Sequence, residues 1–147
     1  MTDSEEKKDK KSLSDFLKDL SSRKKLDFEN YDANKVKFVH GNASTVAKLY
    51  KELLELDPEE NLIVLTPLNE ERQELDVVIK KLLGITQEEA SITMNIHQSQ
   101  GAEWSTVILY LPKVFDLKLI QVGCTRAKDR LIIVGNEEIF VNSVNKS

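Results

Sequence analysis

Hydrophobic positions along this chain alternate between short continuous runs and wider helical stripes. The short runs have strand length, and one of them, Leu62–Leu65, is apolar throughout, as expected of a strand covered by helices on both faces. The predicted strands are Val36–Val39, Leu62–Leu65, Ile92–Ile96, Val107–Leu111 and Leu131–Val134. Strands that alternate with helices predict a three-layer α/β domain, with a mainly parallel sheet of about five strands and helices on both faces.

Two longer stripes predict helices between the first strands. The stripe in Asn42–Leu56 follows a capping residue, Asn42 or Ser44, and its apolar side chains recur at helical spacing. A second helix is predicted to begin with Asn69 as its cap and to end at Gly84, because glycine readily adopts the left-handed conformation of a helix end. The predicted buried stripe of this second helix is Leu75, Val78, Ile79, Leu82 and Leu83.

The N-terminal region has a different pattern. Residues 1–11 are almost all charged or small, which predicts a disordered leader. Apolar residues at helical spacing follow a capping serine in Ser12–Leu26, and they predict a short amphipathic helix that could dock on this domain or on another protein. The pattern therefore divides the chain into residues 1–34, a charged leader with a short helix, and residues 35–147, an α/β domain.

Composition narrows the class of protein. The chain has 147 residues, 40% hydrophobic and 31% charged, as expected of one soluble globular domain. Its formal charge of -4 argues against a broad cationic surface but leaves room for a local basic groove. A single cysteine, Cys124, excludes an intrachain disulfide framework and fits a reducing compartment. Without a signal peptide or an apolar run of membrane-spanning length, a cytoplasmic or nuclear location is expected, or the same compartments of a host if the protein is viral.

Polar residues concentrate in two segments near the C-terminal strands. The first polar segment is His97–Glu103 and the second is Gly123–Lys128. Ligands of open α/β sheets bind at the carboxyl ends of the strands, so we expect the functional face there. The chain contains no G-x-x-x-x-G-K-[ST] phosphate loop and no acidic pair that would be assigned to magnesium. A complete nucleoside triphosphatase is therefore not expected from this chain alone.

Both polar segments resemble motifs of a known family. His97-Gln-Ser-Gln-Gly-Ala-Glu-Trp104, followed by Val107-Ile-Leu, resembles motif V of superfamily-one helicases of the UvrD, Rep and RecD type. Val122-Gly-Cys-Thr-Arg-Ala-Lys128, followed by Leu131-Ile-Ile-Val-Gly135, resembles motif VI, and Leu62–Leu75 falls where motif IV would lie. The resemblance implies the second, C-terminal RecA-like domain of such a helicase.

The resemblance also implies roles for individual residues. Arg126 matches the arginine finger, whose permanently charged, planar donor fork suits the charge that develops on a transferred phosphoryl group. Glu103 matches a residue that accepts a hydrogen bond from the nucleotide ribose. Gly101 allows a tight turn near the nucleotide, and Gln100 links the nucleotide to the nucleic acid. The positions implied to contact single-stranded nucleic acid are Asn95, His97, Ser99 and Thr125.

Several positions depart from the family pattern. Asn95 replaces the usual threonine of motif V, and Gln121 replaces the usual aromatic residue before motif VI. The arginine of motif IV that reaches the γ-phosphate in some relatives falls on Arg72 or Gln73, whose side chains would point about 100° apart on a helix. The segment between motifs V and VI is too short for the large inserted domain of UvrD. Compact RecD-like and viral forms are therefore the closer comparison.

The implied machinery is incomplete in this chain. ATP and Mg²⁺ would be held mainly by an N-terminal RecA-like helicase domain, or by another phosphate-loop protein, and no metal-binding residue is predicted here. The other implied partner is single-stranded DNA or RNA. An alternative is a non-catalytic adaptor or regulator of a replication or repair protein, with Ser12–Leu26 as its handle. A decayed remnant is a third reading, and the intact polar segments argue against it. Trp104 is expected to anchor in the core, and Cys124 to be a small packed residue.

Overall fold

Strands and helices alternate along most of the chain. The computed structural model of the protein describes residues 10–22, 26–113 and 115–145, so most of the predicted leader lies outside the described residues. The strands are β1 Val36–His40, β2 Leu62–Thr66, β3 Thr93–Asn95, β4 Trp104–Leu111 and β5 Ala127–Gly135. The helices are α1 Leu13–Ser21, α2 Ala43–Leu56, α3 Asn69–Leu83, α4 Leu117–Cys124 and α5 Glu137–Asn145, with a short 3-10 helix at Phe28–Asn30.

The strands form one sheet in the order β1-β5-β4-β2-β3, and each pair of neighbours is parallel. The predicted parallel five-stranded sheet is therefore confirmed. Because the strands all run the same way, their last residues meet at one edge of the sheet, which we call the carboxyl edge, and their first residues meet at the amino edge. A side chain that precedes a strand and one that follows it lie at opposite edges.

Helices cover both faces of the sheet, as predicted. On one face, α2 and α3 pack against alternate strand residues such as Val64, Ile108 and Ile132. On the other face, α1, α4 and α5 pack against the intervening residues, which include Val107, Leu109 and others of the same core. Successive side chains of a strand point to opposite faces, so the continuous apolar runs of β4 and β5 supply both cores.

Helix α1 belongs to the domain. Ser12 and Asp15 form a capping box at its start, and Phe16 and Leu20 are fully buried in the same core as the apolar residues of α4. A buried hydrogen bond from the Tyr31 hydroxyl to Asp19 Oδ2, 2.6 Å long, ties the helix to the following segment. The helix is shorter than the predicted Ser12–Leu26, and it docks on its own domain. The predicted division at residue 35 stays a prediction, but side chains on both sides of it share one core.

Other elements differ in detail from the prediction. Asn69 is the first residue of α3 and not its cap; the cap position is Leu68, and the Asn69 side chain accepts a hydrogen bond from Arg72 instead. Gly84 ends the helix at φ 73°, as predicted. Leu82 was expected in the buried stripe but is 39% exposed, because it lines an open groove between α2 and α3.

Two elements near the sheet edges depart further. Strand β3 has three residues instead of the predicted five, since only Thr93–Asn95 finds partners on β2. Helix α5 was not predicted. Its buried residues Phe140 and Val144 are four apart, which gives one helical contact stripe too short to be recognised in the sequence.

Burial of α1 gives a first prediction. Phe16→Ala should lower the free energy of unfolding by about 3–5 kcal/mol, because it leaves a cavity beside Phe28 and Tyr31. Chemical denaturation followed by circular dichroism measures this change. Ser14→Ala, on the exposed side of the same helix, should change it by less than about 0.5 kcal/mol. Equal effects of the two substitutions would show that α1 does not pack on the sheet.

Candidate functional site

Glu103 and Arg126 lie side by side at the amino edge. The register pairs Trp104 of β4 with Ala127 of β5, and these are the first residues of their strands. The residues immediately before them, Glu103 and Arg126, are therefore neighbours although they are far apart in sequence. The expectation of a site at the carboxyl ends of the strands is wrong for this pair.

The first polar segment crosses the sheet from one edge to the other. Asn95, the last residue of β3, lies opposite Thr66 at the carboxyl end of β2. Thr106 lies opposite Leu62 at the amino end of the same strand. The residues between β3 and β4 must therefore run back along the length of β2, because both strands are parallel to it. This path explains why the segment begins at the carboxyl edge and ends at the amino edge.

Arg126 joins the two polar segments. Its backbone carbonyl accepts a 2.9 Å hydrogen bond from the Trp104 N–H. Its guanidinium donates to the carbonyl of Ala102 through Nη1 at 3.3 Å and to the carbonyl of Val122 through Nε at 3.3 Å. Nη2 is 3.1 Å from the Thr125 hydroxyl oxygen. The side chain is thus held in one position by groups from both segments.

The partners of the Arg126 guanidinium are uncharged. Two are carbonyl oxygens and one is a hydroxyl, and within the described ranges the ion pairs involve other residues. Arg126 is half-buried and Glu103 is exposed. Neutral acceptors orient a guanidinium without cancelling its charge, so the group remains able to attract an anion.

The first polar segment has an internal framework. Asn95, which precedes the segment, and Gln98 exchange hydrogen bonds of 2.9 and 3.0 Å between side chain and backbone. Ser99 is fully buried and its hydroxyl donates to the Ile96 carbonyl at 2.6 Å, so this hydroxyl points inward. Gly101 is exposed and adopts φ 85°, a left-handed conformation that favours glycine. These contacts fix the backbone and leave a different set of side chains outward.

An open pocket lies between the first polar segment and α4. Its volume is about 300 Å³. The lining residues are Ile96, His97, Gln100, Asp116, Lys118, Leu119 and Val122. Gly123 permits the close approach, since a Cβ there would meet Ile96 Cδ1 at 3.0 Å. Of the predicted residues, the structure brings His97 and Gln100 together here. The sequence analysis missed Asp116 and Lys118. The sequence signal for Asp116 is that aspartate is a good helix cap, and Lys118 has no such signal.

The other predicted residues lie apart from this arrangement. Arg72 and Gln73 are on α3, which covers the opposite face of the sheet from α4. The Arg72 guanidinium contacts Asn69 and Ser91, and Gln73 is exposed. The structure therefore does not bring either residue to Glu103 and Arg126. Thr125 is beside Arg126 at the amino edge, away from Asn95 at the end of β3.

Trp104 is half-buried against the core, and Cys124 is fully buried, where burial raises the pKa of its thiol. Across residues 10–22, 26–113 and 115–145, no group of three or more His, Cys, Asp and Glu side chains could hold a metal ion. Within the same residues, none of the helices has the length and apolar character that a membrane span requires.

The comparison with solved structures supports the fold. No protein-family model and no curated protein matches this sequence. Among solved structures, the chain resembles the C-terminal domain of a possible DNA helicase from Lactobacillus plantarum WCFS1, with a TM-score of 0.59 and 18% identity over 86% of each chain. A likeness at this identity shows the fold alone. The predicted RecA-like α/β architecture is thereby confirmed, and the residue roles stay predictions.

The conformation of Gly101 gives a second prediction. Gly101→Ala should destabilise the fold by about 1 kcal/mol, because a Cβ disfavours φ 85°. Gly101→Asn should cost less, although asparagine is larger, since it tolerates the left-handed region. Apart from the adjacent residues, nothing lies within 4 Å of a Cβ at this position, so the alanine variant meets no steric clash. Thermal unfolding measures both variants, and a larger loss for asparagine would contradict the conformational explanation.

Proposed function

We propose that this chain is the C-terminal motor domain of a superfamily-one DNA or RNA helicase. The observation that carries the proposal is Arg126, an oriented guanidinium with uncharged partners, placed between two polar segments that resemble motifs V and VI. The resemblance in fold to a domain described as part of a possible DNA helicase supports it. The chain would complete a composite ATPase site and would be inactive by itself, for lack of a phosphate loop.

In this proposal the amino edge faces the nucleotide. An N-terminal RecA-like helicase domain, or another phosphate-loop protein, would hold ATP and Mg²⁺. Arg126 would approach the terminal phosphates, and Glu103 the ribose. The residues present suit this ligand, since a guanidinium with neutral partners attracts phosphate and the exposed backbone at Gly101 leaves space for close approach. Bound Mg²⁺ would offset the negative charge of the phosphates.

The start of the first polar segment faces the nucleic acid in the same proposal. His97 and Gln100 are exposed at the pocket beside α4 and offer hydrogen-bonding groups. Contacts of this kind position a single strand with few ion pairs. They suit a chain whose net charge is -4. Ser99 would act indirectly, by fixing the segment from within, because its hydroxyl is bonded to the Ile96 carbonyl.

The alternative, a non-catalytic adaptor, has less support. In that alternative, the amphipathic helix would bind another protein. In the structure, the apolar residues of α1 pack in the core of their own domain, with Phe16 and Leu20 fully buried. The helix thus has no free apolar stripe of its own for a partner. An adaptor would also have no use for an oriented arginine at the amino edge.

Substitution of Arg126 tests the proposal. The chain would be combined with the phosphate-loop protein or domain that co-purifies with it from its source, and ATP hydrolysis measured with and without a single-stranded oligonucleotide. We expect oligonucleotide-stimulated hydrolysis by the pair. Arg126→Ala should lower the turnover number on the order of a thousandfold or more, because charge on the transferred phosphoryl group loses its partner.

Two controls make this experiment specific. Arg126→Lys keeps the charge but lacks the planar fork, so it should restore only a small part of the activity. Arg130, on β5 and partly exposed, offers a matched arginine outside the proposed site, and Arg130→Ala should leave hydrolysis close to the wild-type rate. Full hydrolysis by Arg126→Ala in a pair that still assembles would overturn the assignment.

A further inference from the structure

Residues 84–91, which make up most of the connection between α3 and β3, are not held by hydrophobic burial. These residues are exposed without interruption. The strand that follows, β3, has only three residues and is an outermost strand of the sheet. A long exposed connection leading into a short edge strand is the kind of segment that opens locally in other proteins. Something else must therefore hold this segment in place.

The buried carboxylate of Asp76, on α3, binds the end of the connection. Asp76 Oδ1 accepts hydrogen bonds from the backbone N–H groups of Ile92 at 2.7 Å and of Thr93 at 3.3 Å. The Thr93 hydroxyl lies 3.4 Å from the same oxygen. Burial by itself would raise the pKa of Asp76, but hydrogen bonds from Lys80, Ile92 and Thr93 outweigh it and hold the pKa below its usual value. The carboxylate is thus charged and bonded to the first residues of the strand.

A buried ammonium one helical turn later holds the middle of the connection. Lys80 Nζ lies 2.8 Å from Asp76 Oδ2, and its side chain is only 2% exposed. The same ammonium donates to the backbone carbonyl of Gln87 at 3.2 Å and to that of Glu89. Lysine is rarely buried unless it is paired, and here its donors are used on one carboxylate and two carbonyls.

Arg72 adds a contact on the outer side. Its guanidinium donates to the Ser91 hydroxyl at 3.2 Å, and its carbonyl accepts from the Thr93 hydroxyl at 2.9 Å. Together Arg72, Asp76 and Lys80 bind the connection from residue 87 to residue 93. All three lie on α3, a helix anchored in the core by Leu75 and Ile79. We call these three residues the clasp.

We infer that Asp76 and Lys80 are positioning residues for the first polar segment. The clasp fixes Thr93, and β3 then runs two residues to Asn95, whose side chain frames the start of the segment. The next residue, Ile96, donates its N–H to Thr66 at 3.0 Å and is buried. The Asp76–Lys80 ion pair, on the opposite face of the sheet, therefore positions His97 and Gln100. Arg72 acts in the same clasp, which gives it a role away from the nucleotide.

Breaking the Asp76–Lys80 pair should loosen the connection that the pair holds. Removing one member of a buried ion pair leaves the other charge desolvated and unpaired, which destabilises the structure around it. Loss of Lys80 also removes the donor from the carbonyls of Gln87 and Glu89. The effect should be concentrated between residues 85 and 99, because the core under α3 does not depend on these groups.

Amide hydrogen exchange measured by mass spectrometry tests the clasp in the full chain. In Asp76→Asn and in Lys80→Met, exchange of residues 85–99 should accelerate by roughly tenfold or more, with β4 and β5 still protected. Leu53→Ala is the matched control, because Leu53 is buried in the same α2–α3 layer but lies on α2, outside the clasp. It should destabilise the whole fold without a selective change in residues 85–99. Arg72→Ala is a milder variant that should accelerate exchange around Ser91 alone, because the Arg72 carbonyl that accepts from Thr93 is kept.

A second readout addresses position and rests on the proposed function. Binding of a fluorescent single-stranded oligonucleotide, followed by anisotropy, should weaken by roughly tenfold in the clasp variants and remain near wild type in Leu53→Ala. Unchanged exchange in both clasp variants would overturn the inference. Faster exchange with unchanged oligonucleotide affinity would also overturn it, since the clasp would then be structural only. Absence of oligonucleotide binding by the wild-type chain would count against the proposed function, while the exchange measurement still decides whether the clasp holds the segment.

Discussion

The candidate site depends on the parallel register between β4 and β5. Pairing of Trp104 with Ala127 places Glu103 beside Arg126, and the hydrogen bond from the Trp104 N–H to the Arg126 carbonyl fixes that register at the strand ends. The Arg126 guanidinium extends the link to Ala102. A shift of one residue would turn the buried side chains of β5 to the wrong face, so the core itself protects this arrangement. The charge at the amino edge is therefore positioned by hydrophobic packing.

The polar residues of the candidate site lie at both ends of the strands. Arg126 lies at the amino edge, whereas Asn95 and His97 begin at the carboxyl edge, and the eight residues of β4 span roughly 25 Å between the edges at about 3.3 Å per residue. The first polar segment is the only stretch of the predicted site that touches both edges. Its hydrogen-bonded framework, with Ser99 turned inward, keeps that path rigid. Such a segment is suited to linking a ligand at one edge with a ligand at the other.

Elements distant in sequence stabilise this path from both faces. On one face, Gln121 donates to the Leu20 carbonyl at 3.3 Å, so α1 supports the helix that leads to Arg126. The family resemblance predicts an aromatic residue at that position, and the amide here finds a different partner. On the other face, Asp76 and Lys80 hold the connection into β3. Polar contacts thus supplement the apolar core on one face and hold an exposed connection on the other.

The sequence by itself determined the alternation of strands and helices, the parallel sheet and the two polar segments, because hydrophobic period and turn residues are local signals. The resemblance of those segments to helicase motifs also came from sequence, with Arg126 and Glu103 as its centre. Only the tertiary structure decided which edge of the sheet they occupy, since the path from β3 to β4 depends on strand order. It also decided that Arg72 faces Ser91 and that α1 docks on its own domain, because both depend on which surfaces meet.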